Sequence, residues 1–205
     1  MEIKRKILSL HQEIEIIKEK IGMLIIHIIT QEDTRDFSRI YEGLERHHDV
    51  QILINPLKGE ARHAMMTEQD TIVLIGHGNE YGLFNHNFNG FVVDSNSVQF
   101  LRNKNVIGIW CHASTFADRY DLSGFFTSMF ISNVDELVTC AFPLFENCDN
   151  VIQEENVAFA KRIHTLLITS KDETHSWADK LREVTQDSPH KFVHYNYEAM
   201  WSKNN

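Results

Sequence analysis

The sequence predicts an α/β domain with a mostly parallel central sheet. From Gly22 onward, short apolar segments alternate with polar segments of helix-forming composition. Such alternation is typical of βαβ units, whose crossover helices pack on the faces of a parallel sheet. The length of 205 residues suits one domain, and neither an internal repeat nor a linker rich in Gly, Pro or Ser divides the chain. We therefore predict a single α/β domain over residues 22–205.

Residues 1–21 predict a separate element ahead of this domain, an amphipathic helix. Apolar side chains recur in it at intervals of three and four, at positions 3, 7, 10, 14, 17 and 21, with Glu and Lys between them. This spacing places them on one face of a helix. We expect that face to pack on the domain. A seam with a second copy of the chain, or with another partner, is the alternative.

The remaining elements follow from apolar runs and from the residues that end them. Strands are predicted at 23–30, 50–54, 71–75, 106–110 and 137–142, with an edge strand at 191–197. Helices are predicted at 36–47, 61–66, 95–101 and 153–168, and a further one begins near Asp172 in a capping-box pattern. Asn89-Gly90 predicts a β-hairpin within 83–93, because both central positions of its tight turn need positive φ.

Composition narrows the classes of partner. Acidic residues outnumber basic ones by 29 to 20, and the resulting formal charge of -9 repels a nucleic-acid backbone. The longest early apolar run, 23–29, is interrupted by His27 and is too short to cross a bilayer. Polar residues follow MEIKRK where a signal peptide needs an apolar stretch. We therefore expect a cytoplasmic protein with neither a nucleic-acid nor a membrane partner.

Each of two predicted apolar strands is followed closely by a residue that can take part in catalysis. TIVLI leads into Gly76-His77-Gly78, and VIGIW leads into Cys111. Because the carboxyl ends of neighbouring parallel strands meet at one edge of a sheet, we expect His77 and Cys111 to lie side by side. A thiol with an ordinary pKa of about 8.5 needs a nearby imidazole to react as a thiolate at neutral pH. The pair predicts a dyad for acyl transfer, with the backbone N–H groups of Gly78 and Cys111 as oxyanion donors.

These motifs resemble those of the caspase and metacaspase group of cysteine peptidases. LIGHGNEYGLF is similar to the histidine motif and its hairpin, and IGIWCHAS is similar to the cysteine motif. The resemblance covers residues 22–142 and includes the order of the two motifs along the chain. It implies a caspase-like three-layer sandwich and endopeptidase activity on a peptide or protein substrate, without a cofactor. It also implies that Cys111 is the nucleophile, His77 the general acid and base, and Gly78 an oxyanion donor.

One position departs from the pattern of this group. Metacaspases usually carry an acidic residue two positions before the cysteine, and caspases carry glutamine, where this chain has Ile109. Glu32 and Asp33, which follow strand one, are candidates for lining the same substrate pocket. The departure favours a second hypothesis, a catalytically inactive caspase-like interaction module that binds a partner through the helix of residues 1–21.

Other interpretations of the same residues have less support. His112 is a rival base, but residues adjacent at a strand end point in opposite directions. The 12 histidines and three cysteines show no CxxC, HExxH or HxH spacing, so we predict no metal site. The odd number of cysteines, in a chain without a sign of export, predicts reduced thiols. Cys140 falls inside the predicted fifth strand and is interpreted as a core residue. A flavodoxin-like binding domain is the last alternative, but no phosphate-cradling glycine loop follows strand one.

Overall fold

Nine strands occur in the parts of the chain that the computed structural model describes, residues 22–30, 32–67 and 69–204. They are β1 (Gly22–His27), β2 (Val50–Ile54), β3 (Gln69–Ile75), β4 (Gly78–Asn79), β5 (Gly82–Phe84), β6 (Phe91–Val93), β7 (Asn105–Ile109), β8 (Ser123–Phe126) and β9 (Trp201–Lys203). Six of them form a central sheet in the order β2-β1-β3-β7-β8-β9. The predicted hairpin is part of a small antiparallel sheet, β4-β5-β6.

Parallel pairing dominates the central sheet. β1 lies between β2 and β3, β3 pairs with β7, and β7 pairs with β8, all in parallel register. β9 runs antiparallel to β8 and forms the edge beside it. The predicted fold class, α/β with a mostly parallel sheet, is therefore confirmed.

Helices cover both faces of this sheet. They are α1 (Glu32–Asp36), α2 (Lys58–Met66), α3 (Val98–Leu101), α4 (Ala113–Tyr120), α5 (Val134–Thr139), α6 (Cys148–Ser170), α7 (Trp177–Thr185) and α8 (Lys191–Glu198). Short 3-10 turns lie at Phe37–Ile40, Leu44–Arg46, Ser95–Ser97 and Lys171–Ser176. Apolar residues of α6, α7 and α8 pack on one face of the sheet, and those of α2, α3 and α4 pack on the other.

The strands supply apolar side chains to both layers of the core. Ile25 and Val73 belong to the cluster under α6, whereas Leu24 and Ile72, their chain neighbours, belong to the cluster under α2. Successive side chains of a strand point to opposite faces, so a sheet covered on both sides needs uninterrupted apolar runs. This is why the inner strands could be predicted from their composition.

The prediction of a strand at 137–142 is wrong. Residues 134–139 form α5, and Oδ1 of its N-cap Asn133 accepts the Glu136 N–H at 2.9 Å. Cys140 accordingly lies half-buried at the end of a helix, where it packs against the core, and not inside a strand. The fifth strand in the order of the central sheet is instead β8. Its short Ser-Gly-Phe-Phe sequence shows little of the pattern expected of a strand.

The prediction of an edge strand at 191–197 is also wrong, because these residues form α8. The buried side chains of α8 recur with helical spacing, at Phe192, Val193, Asn196 and Tyr197. Val193, Tyr195 and Tyr197 also alternate with the polar residues His194 and Asn196, and this alternation led to the prediction of a strand. The antiparallel edge strand of the sheet is β9.

Two further expectations concern the first part of the chain. Where a helix was predicted at 36–47, the structure has the last residue of α1 and then two 3-10 turns, which Gly43, at φ +80°, separates. The amphipathic helix of residues 1–21, with its possible partner seam, lies outside the described residues. Within the described chain, no helix combines the length and apolar character needed to cross a membrane.

Candidate active site

The structure brings the ends of β3 and β7 to the same edge of the central sheet. Ile75 lies beside Ile109 in the parallel register, and the Gly76 N–H donates to the Ile109 carbonyl at 3.1 Å. His77 and Cys111 each follow these paired residues by two positions. They therefore occupy matching places beyond two adjacent strands, and both line the same cavity.

This cavity has a volume of about 20 Å³, which is room for about one water molecule. Its walls are mostly apolar or carry hydroxyl groups, and Ile109, a candidate residue of the substrate pocket, is one of them. The residues that line it within the described chain are Thr34, Phe37, Gly76, His77, Ile109, Trp110, Cys111, Thr127, Phe130, Ser132 and Glu136.

Cys111 lies half-buried between the end of β7 and the start of α4. Its Sγ is 3.7 Å from the Phe130 carbonyl oxygen and 4.0 Å from Glu136 Oε1. The thiol is thus next to a carboxylate as well as in one cavity with His77. His112 has left-handed backbone, φ +66°, and its N–H donates to the Ser128 carbonyl at 3.1 Å, but its side chain is not among those that line the cavity.

The small antiparallel sheet positions His77. The His77 carbonyl accepts the Phe84 N–H at 2.9 Å, and its ring centroid lies 5.7 Å from that of Phe88. Gly76, just before it, has φ +147°, and a Cβ there would lie 3.0 Å from Ile28. The turn that leads from β3 to His77 therefore requires glycine.

Gly78, the predicted oxyanion donor, lies in β4 against the ring of Trp110. A Cβ at this position would overlap Trp110 Cδ1 and lie 2.5 Å from the Gly82 carbonyl oxygen. Trp110 is only 2% exposed, and its Nε1–H donates to the Asn79 carbonyl at 3.1 Å. Gly78 thus lets β4 approach the residue immediately before Cys111.

Glu136 is the site residue that the sequence analysis missed. Its Oε2 accepts hydrogen bonds from the Ser132 N–H at 2.7 Å and from the Ser132 hydroxyl at 2.8 Å. Asn133, three residues ahead of Glu136, is a signal for a helix start that would have placed this carboxylate in a first turn. Because a strand was predicted at 137–142, this helix start was not recognised.

Two buried asparagines hold the segment between β8 and α5 in place. Asn196 of α8 accepts the Ile131 N–H at 2.8 Å and donates to the Ile131 carbonyl at 3.0 Å. Asn156 of α6 donates to the Ser132 carbonyl at 2.8 Å. These contacts fix the residues that anchor Glu136, so both asparagines are positioning residues for the site.

Replacement of Asn196 by alanine is expected to lower the free energy of unfolding by about 2 kcal/mol, because it leaves a buried N–H and a buried carbonyl of Ile131 without their partners. Urea denaturation measures this loss. Asn150→Ala, at an exposed position of α6, is the matched control and should change stability little. Equal stability of the two variants would contradict the role given to Asn196.

His27, at the end of β1, is fully buried and supports another wall of the cavity. Its Nε2–H donates to the Thr34 carbonyl at 2.8 Å, and its Nδ1 accepts from the Tyr41 hydroxyl at 3.1 Å. Burial lowers the pKa of His27 to about 4, against the opposing effect of the Thr34 hydrogen bond. The imidazole is therefore neutral near pH 7, and this form fixes Thr34 at the cavity.

The other predicted pocket residues are only partly described. Glu32 and Asp33 begin α1, the element that contributes Thr34, but their side chains lie outside what the structure describes. Among the described residues, no three His, Cys, Asp or Glu side chains come together in a way that could hold a metal ion.

Comparison with known proteins assigns no family to the chain: no family model matches it, and no curated protein matches it. Because a fold by itself does not define an activity, the function must be argued from the site.

Proposed function

We propose that this protein is a cysteine-dependent hydrolase, an endopeptidase of caspase-like architecture that uses a Cys111–His77 dyad. One observation carries the proposal. The two residues follow paired positions of adjacent parallel strands and line one cavity. The sheet covered by helices on both faces and the similarity of the two motifs to those of caspases and metacaspases support the same function.

The reaction would proceed through a thioester. His77 takes the proton of the Cys111 thiol, and the sulfur attacks the carbonyl carbon of the scissile peptide bond. The oxyanion that forms is held by backbone N–H groups at the site, with Gly78 as the proposed donor. His77 then returns the proton to the leaving amine as the C–N bond breaks. Water, deprotonated by His77, attacks the thioester, and the Cys111 thiol and a carboxylate product are released.

Alkylation by iodoacetamide, followed site by site with mass spectrometry, tests this dyad. Cys111 is expected to react at pH 7 about tenfold faster than Cys140 and Cys148, because the thiolate is the reactive species. Burial raises the pKa of the Cys140 thiol, so Cys140 should react slowly. His77→Ala should slow the labelling of Cys111, whereas His86→Ala, which replaces an exposed histidine in the loop between β5 and β6, should not.

Two outcomes separate the competing functions. Equally slow labelling of the three cysteines, unaffected by His77→Ala, would reject the hydrolase and favour the inactive interaction module. The small cavity and the carboxylate next to Cys111 are the observations that keep this module as the second candidate. If Cys111 is labelled selectively, a peptide-library screen identifies the substrate, with Cys111→Ala as the variant that must lose cleavage.

A further inference from the structure

We infer that Phe88 is a specificity-determining residue whose ring binds a large apolar or aromatic side chain on the leaving-group side of the scissile bond. The inference rests on the proposed function, because it takes His77 as the group that protonates the leaving amine. It deepens that function by naming the substrate class: peptides in which phenylalanine or a similar side chain directly follows the cleaved bond.

The ring of Phe88 lies against the imidazole of His77 and is open to solvent. The two ring centroids are 5.7 Å apart, with an angle of 42° between the rings, and Phe88 is 49% exposed. Phe84 packs against Phe88 with 5.8 Å between the ring centroids, and it stacks on Phe91 at 5.0 Å. The three phenylalanines therefore form an aromatic surface beside His77, and Phe88 is its most exposed member.

The loop between β5 and β6 holds Phe88 in an unfavourable backbone conformation. Phe88 has left-handed backbone, φ +56°, which bulky residues rarely adopt and which asparagine, the residue on either side of it, tolerates better. The Asn85 side chain stabilises the loop, because its Oδ1 accepts the N–H groups of Asn87 and Asn89, both at 3.2 Å. The Phe88 N–H donates to the Asn85 carbonyl at 3.1 Å. Strain that the surrounding contacts maintain in this way is common at functional positions.

The proposed reaction brings the leaving group next to this aromatic surface. To protonate the leaving amine, the imidazole of His77 has to come within about 3 Å of the amine nitrogen. The side chain of the residue that carries this nitrogen begins two bonds away, so an aromatic ring there lies about 5 Å from the nitrogen. Aromatic pairs form with ring centroids about 4.5–7 Å apart, so such a ring can reach Phe88. The substrate residue that contacts Phe88 is therefore the one directly after the scissile bond.

The composition of the loop selects the chemistry of that substrate side chain. Residues 84–91, FNHNFNGF, include three phenylalanines and no Asp, Glu, Lys or Arg. An apolar side chain that packs on the exposed ring removes apolar surface of both partners from water, whereas a charged one would lose hydration there. We therefore expect phenylalanine and leucine to be preferred at this substrate position and aspartate to be disfavoured.

The test measures kcat/KM for a set of internally quenched peptides. The set takes the peptide that the library screen identifies and varies the residue directly after the scissile bond, as Phe, Leu, Ala or Asp. For the wild-type protein, kcat/KM should be about tenfold higher with the Phe peptide than with the Ala peptide, and lowest with the Asp peptide. Mass spectrometry of the products checks that each peptide is cleaved at the same bond. This measurement needs no substitution and so does not depend on the folding of a variant.

The variants Phe88→Asn and Tyr81→Ala form a matched pair. Each removes an exposed aromatic ring close to the small antiparallel sheet, but the ring of Tyr81 lies against the Arg119 guanidinium, 5.0 Å from its carbon. Asparagine suits the left-handed backbone at position 88, so Phe88→Asn should melt within about 3 °C of the wild-type protein. It should reduce the ratio of kcat/KM between the Phe and Ala peptides to about two, whereas Tyr81→Ala should retain the ratio of about ten.

Three results would overturn the inference while the proposed dyad stands. The first is wild-type cleavage that requires Cys111 but does not distinguish the Phe peptide from the Ala peptide. The second is a Phe88→Asn protein that keeps the wild-type preference. The third is a Phe88→Asn protein in which iodoacetamide labels Cys111 as slowly as in His77→Ala, because the ring would then only hold the imidazole. Failure of the dyad gives a different result: no peptide is cleaved, or Cys111→Ala cleaves as fast as the wild-type protein.

Discussion

Replacement of Gly78 by alanine is expected to lower the free energy of unfolding by about 3 kcal/mol and to disturb the site around Cys111. The added Cβ would overlap Trp110 Cδ1 and approach the Gly82 carbonyl oxygen to 2.5 Å. Neither neighbour can yield easily. Trp110 is buried and hydrogen-bonded to Asn79. The Gly82 oxygen belongs to the backbone of β5, which pairs with β4 in the small antiparallel sheet. The strain must therefore push β4 away from the end of β7.

Urea denaturation of Gly78→Ala and of Gly59→Ala measures this effect. Gly59 lies in the first turn of α2, and a Cβ there would meet nothing within 4 Å. Alanine at position 59 should leave the protein as stable as before or slightly more stable, since it favours the helix. A Gly78→Ala protein within about 0.5 kcal/mol of the wild type would show that β4 and Trp110 are not packed as described. The labelling rate of Cys111 in the same variant reports whether the site follows the displacement.

Stability is expected to fall by about 3 kcal/mol as the pH is lowered from about 6.5 to about 4, because His27 is buried as a neutral imidazole with its pKa lowered from 6.5 to about 4. Within this range the unfolded chain takes up a proton at His27 and the folded protein does not. Acid therefore favours the unfolded state. Above about pH 6.5 the contribution is fully present, and below about pH 4 both states are protonated and the loss is complete.

Denaturation curves at several pH values, compared between variants, isolate the part due to His27. His27→Gln keeps a donor for the Thr34 carbonyl but cannot titrate, so its stability should vary less over this range than that of the wild type. His47→Gln, at an exposed position, should retain the full dependence. If His27→Gln and the wild type lose stability in parallel, some other group must bind the proton.

The parts of the fold that could be predicted are those in which local pattern and burial agree. β2 was predicted with its observed bounds, and β3 and β7 were predicted within a few residues, because a strand covered on both faces needs a continuous apolar run. The glycines around His77 marked a sharp turn. The matching positions of His77 and Cys111 followed from the rule that ligands gather beyond the carboxyl ends of parallel strands.

The parts that could not be predicted depend on contacts between distant segments. The residues Leu137 to Phe142 are as apolar as a strand, and only the cap at Asn133 indicates the helix. Asn196 and Asn156 carry no local signal of function, since their role is to hold a loop that lies far from them along the chain. Glu136 became part of the site through that loop. No motif in the sequence indicates that Glu136 lies near Cys111.

The antiparallel return of β9 has a consequence for how the protein is made. β8 pairs on one side with β7, which directly precedes α4 and β8 along the chain, but its partner on the other side, β9, follows only after α5, α6, α7 and α8. Until then the nascent chain presents an open row of backbone N–H and carbonyl groups, a template on which another chain can pair. We therefore expect a chain that has not yet reached β9 to be open to wrong pairing along this edge of β8.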